Sequence, residues 1–245
     1  MRRLYCRRPT ATIPLHAGQL SVRLHRTIFL DLDDTLYPSS SGVWDAIGLR
    51  INAYIEERLG IPSDRVAALR DEYFRSYGTT LNGLVANYHI DPEDYLSFVH
   101  DLPLEDRLRP DPDLRRMLEA LPQKRVILTN ASRQHAERVL DLLGVRHTID
   151  QVIDILALGL TNKPNPEAFR RAQVLAEEPE AAACVVVDDS LRNLLAAAGL
   201  GMTTVLVGQD SAEAPIDYRI SRIVELAQAI PGLTIPPPRR SSLAG

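Results

Sequence analysis

An α/β fold is what the sequence predicts: a doubly wound parallel sheet with a small helical domain inserted into it. Three observations lead there. Short β-branched or apolar runs recur along the chain, the stretches between them carry helix-start and helix-stop signals, and the alternation is broken once by a long segment with no convincing strand. A chain of 245 residues can bury a full core as one large domain, or as a medium domain carrying a smaller one.

The first run is "TIFLD" at 27–31. The long segment follows it. Within it Val43, Ile47, Ile51, Tyr54, Ile55 and Leu59 recur at helical spacing up to Gly60, Ser63 stands as the cap of "DRVAALRDEYFRSY", and Asp91-Pro92 opens "EDYLSFVH". Residues 42–108 are therefore expected to form the helical insertion. Asp111-Pro112 then opens a helix, "RVILT" (125–129) reads as the second strand, Ser132 opens the next helix and Gly144 closes it. "QVIDILA" (151–157), a helix beginning at Pro166, "CVVVD" (184–188) and "TTVLV" (203–207) complete the pattern, so the core is expected at 27–41 and 109–232.

Composition narrows the partners. Hydrophobic residues make up 45% and charged residues 24%, ordinary for a globular protein. A net charge of −4 leaves no basic footprint for nucleic acid, and no apolar run reaches the length of a membrane span, so a small diffusing ligand is expected. Only Cys6 and Cys184 occur, which fits a reducing cytoplasm better than a disulfide framework. Residues 1–26 are Arg-rich and free of acids, and 233–245 are Pro-rich and then small and polar; both are expected to be flexible tails, with an organelle transit peptide the weaker reading of the first.

The first strand ends in a cluster of like charges, Asp31, Asp33 and Asp34, with Thr35 beside them. Carboxylates this close repel, and each loses hydration in a cleft, so the cluster implies a cationic partner. In an open parallel sheet the ligand crevice lies at the carboxyl ends of the strands. Thr129 and Asn130 end the second strand, Asp188 and Asp189 the fourth, and Lys163 lies in the loop before Pro166.

That set is coherent for phosphoryl transfer. Asp31 can attack phosphorus, and Asp33 can protonate the departing alkoxide and later take a proton from water. Asp31, Asp33, Asp188 and Asp189 make an oxygen-rich site for Mg²⁺, a hard cation that binds through carboxylates and substrate phosphate. Thr129, Asn130 with its neighbouring amides, and Lys163 are the candidates for holding the phosphoryl oxygens.

The order "DLDDT", "LTN", "NKP", "VVVDDS" resembles the four motifs of the haloacid dehalogenase superfamily. The resemblance spans about 27–208 and implies a Rossmann-like core with a helical C1 cap. It also implies Asp31 as nucleophile, Asp33 as acid/base with its backbone carbonyl reaching Mg²⁺, Thr129 and Lys163 as phosphate holders, and Asp188 and Asp189 as metal acids. The flanks "DLDDTLYPSSSG", "YFRSYGTTLNGLVANYHID", "LPLEDRLRPDPDLRRML" and "LLGVRHTID" are similar to the pyrimidine 5′-nucleotidase branch, implying a nucleoside monophosphate such as UMP or CMP as substrate.

Rival readings differ in testable ways. An EF-hand would need Gly where Leu36 stands and Glu where Gly42 stands. A receiver-type signalling domain would place its acceptor on a middle strand, without the acid two residues on. A dehalogenase lacks the counterpart of Asp33. A phosphomutase, or a phosphatase for sugar phosphates, flavin mononucleotide or pyridoxal phosphate, keeps the same core chemistry. The six histidines show no metal spacing and receive no role; Ser190 is read as a helix cap, and Tyr77, Asn82 and Tyr88 as packing within the insertion.

Overall fold

The computed structural model describes residues 24–208 and 213–236. Strand β1 (Thr27–Leu30) leads into four helices, α1 (Val43–Leu59), α2 (Ser63–Tyr77), α3 (Thr80–Tyr88) and α4 (Pro92–Val99). The chain then alternates: α5 (Pro112–Glu119), β2 (Lys124–Leu128), α6 (Arg133–Leu142), β3 (Gln151–Ile153), α7 (Pro166–Leu175), β4 (Cys184–Asp188), α8 (Leu191–Ala198) and β5 (Thr203–Val207). A short β6 (Tyr218–Ile220) and the single turn α9 (Leu226–Ala229) close the fold. The strands form one parallel sheet in the order β3-β2-β1-β4-β5-β6.

The sheet is buried on both faces, as the near-continuous apolar strands require. Ile28, Leu30, Ile127, Val185 and Val187 point to one side, where Leu114, Leu118, Val139 and Leu140 of α5 and α6 cover them and the core continues into the inserted helices. Phe29, Val126, Leu128 and Val186 point to the other, against Ala168, Phe169, Leu194 and Ala197 of α7 and α8. Truncating a fully buried side chain such as Phe29 or Phe169 to Ala would cost about 3–5 kcal/mol.

Several local expectations need adjusting. The run 151–157 pairs only as far as Ile153, because Asp154 leaves the ladder and accepts from Arg133 N and Ala157 N. Ser63 is the first residue of α2 rather than its cap; Pro62 occupies that position without a side-chain bond. Ser190 precedes α8 but its hydroxyl caps nothing, and the Asp188 carboxylate accepts from Ser190 N instead. β6 has no counterpart among the expected strands.

Residues at both expected tail boundaries are packed against the core. Arg26 bridges Glu178 and Glu180, His25 is buried against Thr203, and Leu233 is buried with its carbonyl accepting from Gln123, so 25, 26 and 233 belong to the packed fold. Residues 1–23, with Cys6 among them, and 237–245 lie outside the described residues. Cys184 is buried and unpaired. Among the described residues no helix is long and apolar enough to cross a membrane.

Candidate active site

The sheet order makes β1 and β4 neighbours across the point where the chain changes direction, the place where open α/β sheets hold ligands. Leu30 is in register with Val187, and Asp31 N donates to Val187 O at 2.9 Å. The next residues, Asp31 and Asp188, therefore stand side by side. Beyond Asp31 the chain turns at Asp34, whose φ is 59°, and Leu36 N returns to Leu32 O at 3.0 Å. This brings Thr35 back, where its hydroxyl donates to Asp31 Oδ2 at 3.3 Å and accepts from Asp189 N at 3.1 Å.

Lys163 is the counter-ion of the pair. Its Nζ lies 2.7 Å from Asp31 Oδ1 and 2.7 Å from Asp188 Oδ2, and the side chain is only 2% exposed. Burial opposes its charge, yet the two carboxylates prevail and hold the ammonium above its ordinary range. Asp188, fully buried, also accepts from Ser190 N and Asn193 Nδ2. Burial pushes Asp31 and Asp188 up to about 6, against the pull of Lys163. Asp189 opens onto the cavity, whose walls strip part of its hydration; with the neighbouring Asp188 charge this also lifts it to about 6.

Asp31, Asp188 and Asp189 each offer a carboxylate oxygen within 4.8 Å of the others. An all-oxygen, anionic donor set of this kind suits a hard divalent cation such as Mg²⁺. The Asp33 carboxyl, expected among the metal acids, is not in this group. It is turned to Tyr37 Oη, 2.5 Å away, and His135 Nε2, 2.7 Å away; burial is the largest influence and raises Asp33, but the His135 and Tyr37 contacts, with His100 nearby, together hold the group below its usual range. Only its backbone carbonyl is left for the metal contact the resemblance implies.

Thr129 follows β2, is buried, and accepts from Ala131 N through its hydroxyl at 3.0 Å, leaving its own proton free to donate. Asn130, expected to touch substrate, has its side chain committed elsewhere. Its Oδ1 accepts from Lys163 N at 2.9 Å and its Nδ2 donates to Lys163 O at 3.0 Å. Lys163 O also accepts from Asn162 Nδ2, and Asn162 Oδ1 accepts from Asn82 Nδ2 of α3, so Asn82 links the insertion to the lysine loop rather than merely packing. Gly78 makes this approach possible: at φ 81° it turns the end of α2, and a Cβ there would lie 2.1 Å from Asn162 Nδ2.

A cavity of about 860 Å³ opens over these residues, between the sheet and the inserted helices. Asp31, Asp33, Thr129, Asn130, Lys163 and Asp189 line its floor. Trp44 and Phe74, half exposed, line it from α1 and α2, and the Arg192 guanidinium lies over the Phe74 ring at 4.8 Å. Tyr77 and Tyr88 are exposed and take no part in the lining. Sequence reasoning missed Tyr37, His100 and His135. A signal existed only for Tyr37, which stands four residues beyond Asp33.

Comparison with known proteins gives three kinds of likeness. A family model described as haloacid dehalogenase-like hydrolase matches residues 25–201. Phosphate metabolism protein 8 of Saccharomyces cerevisiae is 29% identical over 195 residues, covering 74% of this chain and 61% of the yeast protein, so the chain spans about three fifths of that relative. Glyceraldehyde 3-phosphate phosphatase of Methanopyrus kandleri is 29% identical over 197 residues, 74% of this chain and 83% of the relative. Among solved structures, the HAD-hydrolase YfnB of Bacillus subtilis bound to magnesium superposes with a TM-score of 0.57 at 17% identity, covering 84% of this chain and 98% of that one.

Proposed function

Because the chain belongs to the haloacid dehalogenase-like hydrolases, we propose that it is a Mg²⁺-dependent phosphatase for small phosphomonoesters, with a pyrimidine nucleoside monophosphate as its substrate. The observation that carries this is the convergence of Asp31, Asp188, Asp189 and Lys163 at the adjoining ends of β1 and β4, beneath one cavity. The parallel strand order differs from the flavodoxin-like order of receiver domains, so the signalling alternative is set aside.

In the proposed reaction an Asp31 carboxylate oxygen attacks phosphorus, the P–O bond to the leaving group breaks, and Asp33 gives its proton to the departing alkoxide. Water then attacks the aspartyl-phosphate; Asp33 takes the water's proton, phosphate leaves and Asp31 is restored. His135 favours the carboxylate form of Asp33 in the free protein, whereas an arriving phosphate dianion favours the protonated form, so the proton is taken up with substrate. Thr129 and Lys163 donate to the phosphoryl oxygens. Asp31, Asp188 and Asp189, with the Asp33 carbonyl, would hold Mg²⁺, which would supply the positive charge that lets two anions approach. Helices between residues 42 and 108 act as the cap, and a cytoplasmic setting fits the lone described cysteine, buried and unpaired.

The half-exposed rings of Trp44 and Phe74 over the floor support a planar base, since rings stack on either face of a nucleobase. The likeness to a glyceraldehyde 3-phosphate phosphatase favours a second reading, a sugar-phosphate substrate. The deciding experiment is kcat/KM for phosphate release from UMP, CMP, AMP, GMP and glyceraldehyde 3-phosphate. A preference of about tenfold or more for UMP and CMP is expected, the scale of one polar group left unpaired by the wrong base. Equal values, or a purine or triose preference, would reject the pyrimidine assignment and leave the phosphatase one; no phosphate release from any would reject both.

A further inference from the structure

Asp33 is anchored unlike any other acid of the site. Tyr37 Oη donates to Asp33 Oδ1 at 2.5 Å, and His135 Nε2 meets the same oxygen at 2.7 Å, while Asp33 Oδ2 has no hydrogen-bond partner among the described residues. Asp33 lines the cavity. With Oδ1 engaged twice, Oδ2 is the oxygen left for whatever enters.

The partners are themselves fixed. The His135 side chain is 0% exposed and its ring stacks on His100 at 4.4 Å between centroids, 19° from parallel. His100 Nδ1 lies 3.0 Å from Ser132 Oγ, which also accepts from His135 N to cap α6. His100 comes from the end of α4, so the insertion braces one face of the ring and α6 carries it. Tyr37 is buried one turn beyond Asp33.

We propose that His135 and Tyr37 are positioning residues that grip Asp33 by Oδ1 and present Oδ2 to the leaving oxygen. This rests on the acid/base reading of Asp33. An acid fixed by two bonds holds its free oxygen near the in-line departure path; an acid free to rotate spends little time there. Packing alone would explain a buried tyrosine and histidine, but not why both converge on the same oxygen of one acid.

The readout is the leaving group. An alkoxide departing from a nucleoside monophosphate needs a proton; p-nitrophenolate departing from p-nitrophenyl phosphate is stable without one. Asp33→Asn is the reference, expected to lower kcat/KM by roughly 10²–10⁴-fold on the nucleotide and far less on the aryl ester. Tyr37→Phe, nearly isosteric, and His135→Ala should each show the same selectivity, losing about tenfold or more on the nucleotide and less than about threefold on the aryl ester. His135→Gln, which keeps a donor, should recover part of the loss. In the Asp33→Asn background neither change should cost more, since there is no acid left to place. Equal losses on both substrates, or losses that add to those of Asp33→Asn, would overturn the proposal. If Asp33→Asn itself shows no leaving-group dependence, the acid/base reading falls and the proposal with it. If His135→Ala does not fold, Tyr37→Phe and His135→Gln decide.

Discussion

Asn130 brackets the main chain of Lys163, accepting from its N–H at 2.9 Å and donating to its carbonyl at 3.0 Å. The lysine's reach to both carboxylates depends on where that peptide is held. Asn130→Ala leaves the Lys163 N–H without its acceptor, while the Lys163 carbonyl keeps only the bond from Asn162 Nδ2, a destabilisation of about 1–3 kcal/mol. Urea unfolding should show it, and kcat/KM should fall by about tenfold or more as Nζ moves off Asp31. Unchanged values for both would mean the loop holds Lys163 without this amide.

Asp31→Asn should reduce turnover by at least ~10³-fold, the scale of removing a covalent nucleophile. The amide is nearly isosteric, so the protein should still fold. Phosphate release near the original rate would place the nucleophile elsewhere.

Lys163→Met removes the positive charge between Asp31 and Asp188. Breaking a buried ion pair from one side costs roughly 3–5 kcal/mol, because the remaining charges stay buried and unpaired. The metal-free variant should melt well below the original protein, and Mg²⁺ should raise its Tm more than it raises the original's. A variant equally stable without metal would show that the carboxylates take up protons instead.

Turnover should vanish in EDTA and return with Mg²⁺. Asp31, Asp188 and Asp189 lie at about 6, above the ordinary 3.8, so the folded protein binds more protons than the unfolded chain between those values. The stabilisation these groups give is therefore complete below pH about 4 and is lost as the pH rises through about 6. Mg²⁺ requires the ionised carboxylates, so the Tm increase it produces should grow over the same interval. An increase independent of pH from 5 to 7 would exclude these three as ligands.

Trp44 is the single tryptophan of the chain, and its half-exposed ring lines the cavity. UMP should quench its fluorescence in the Asp31→Asn protein, where turnover does not intervene. Trp44→Ala should raise KM for UMP by about tenfold, within the ~1–3 kcal/mol of base stacking, and leave KM for glyceraldehyde 3-phosphate unchanged. No quenching, with no change in KM, would remove the ring from substrate contact.

The legible parts of the site were those carried by short strings. Asp31 and Asp188 could be placed together because strand ends are readable and a parallel sheet aligns them. His135 could not: its partner lies 102 residues earlier, and nothing on an amphipathic helix distinguishes a histidine that meets an acid from one that packs. Asn130 was visible but its role was not, because an asparagine after a strand serves a ligand or a loop equally well, and only the course of the Lys163 loop decides. β6 escaped because three residues with one buried side chain carry no periodicity to detect.

The hydrogen-bonded chain from Asn82 through Asn162 to Lys163 bears on descent as well as on chemistry. A lineage that exchanged its inserted helices for others would bring a new residue opposite Asn162 and a new neighbour where Gly78 now gives way, so the lysine loop would inherit a mismatch. Positions 78, 82 and 162 should therefore change together among homologues, and grafted insertions should work best when all three travel as one block.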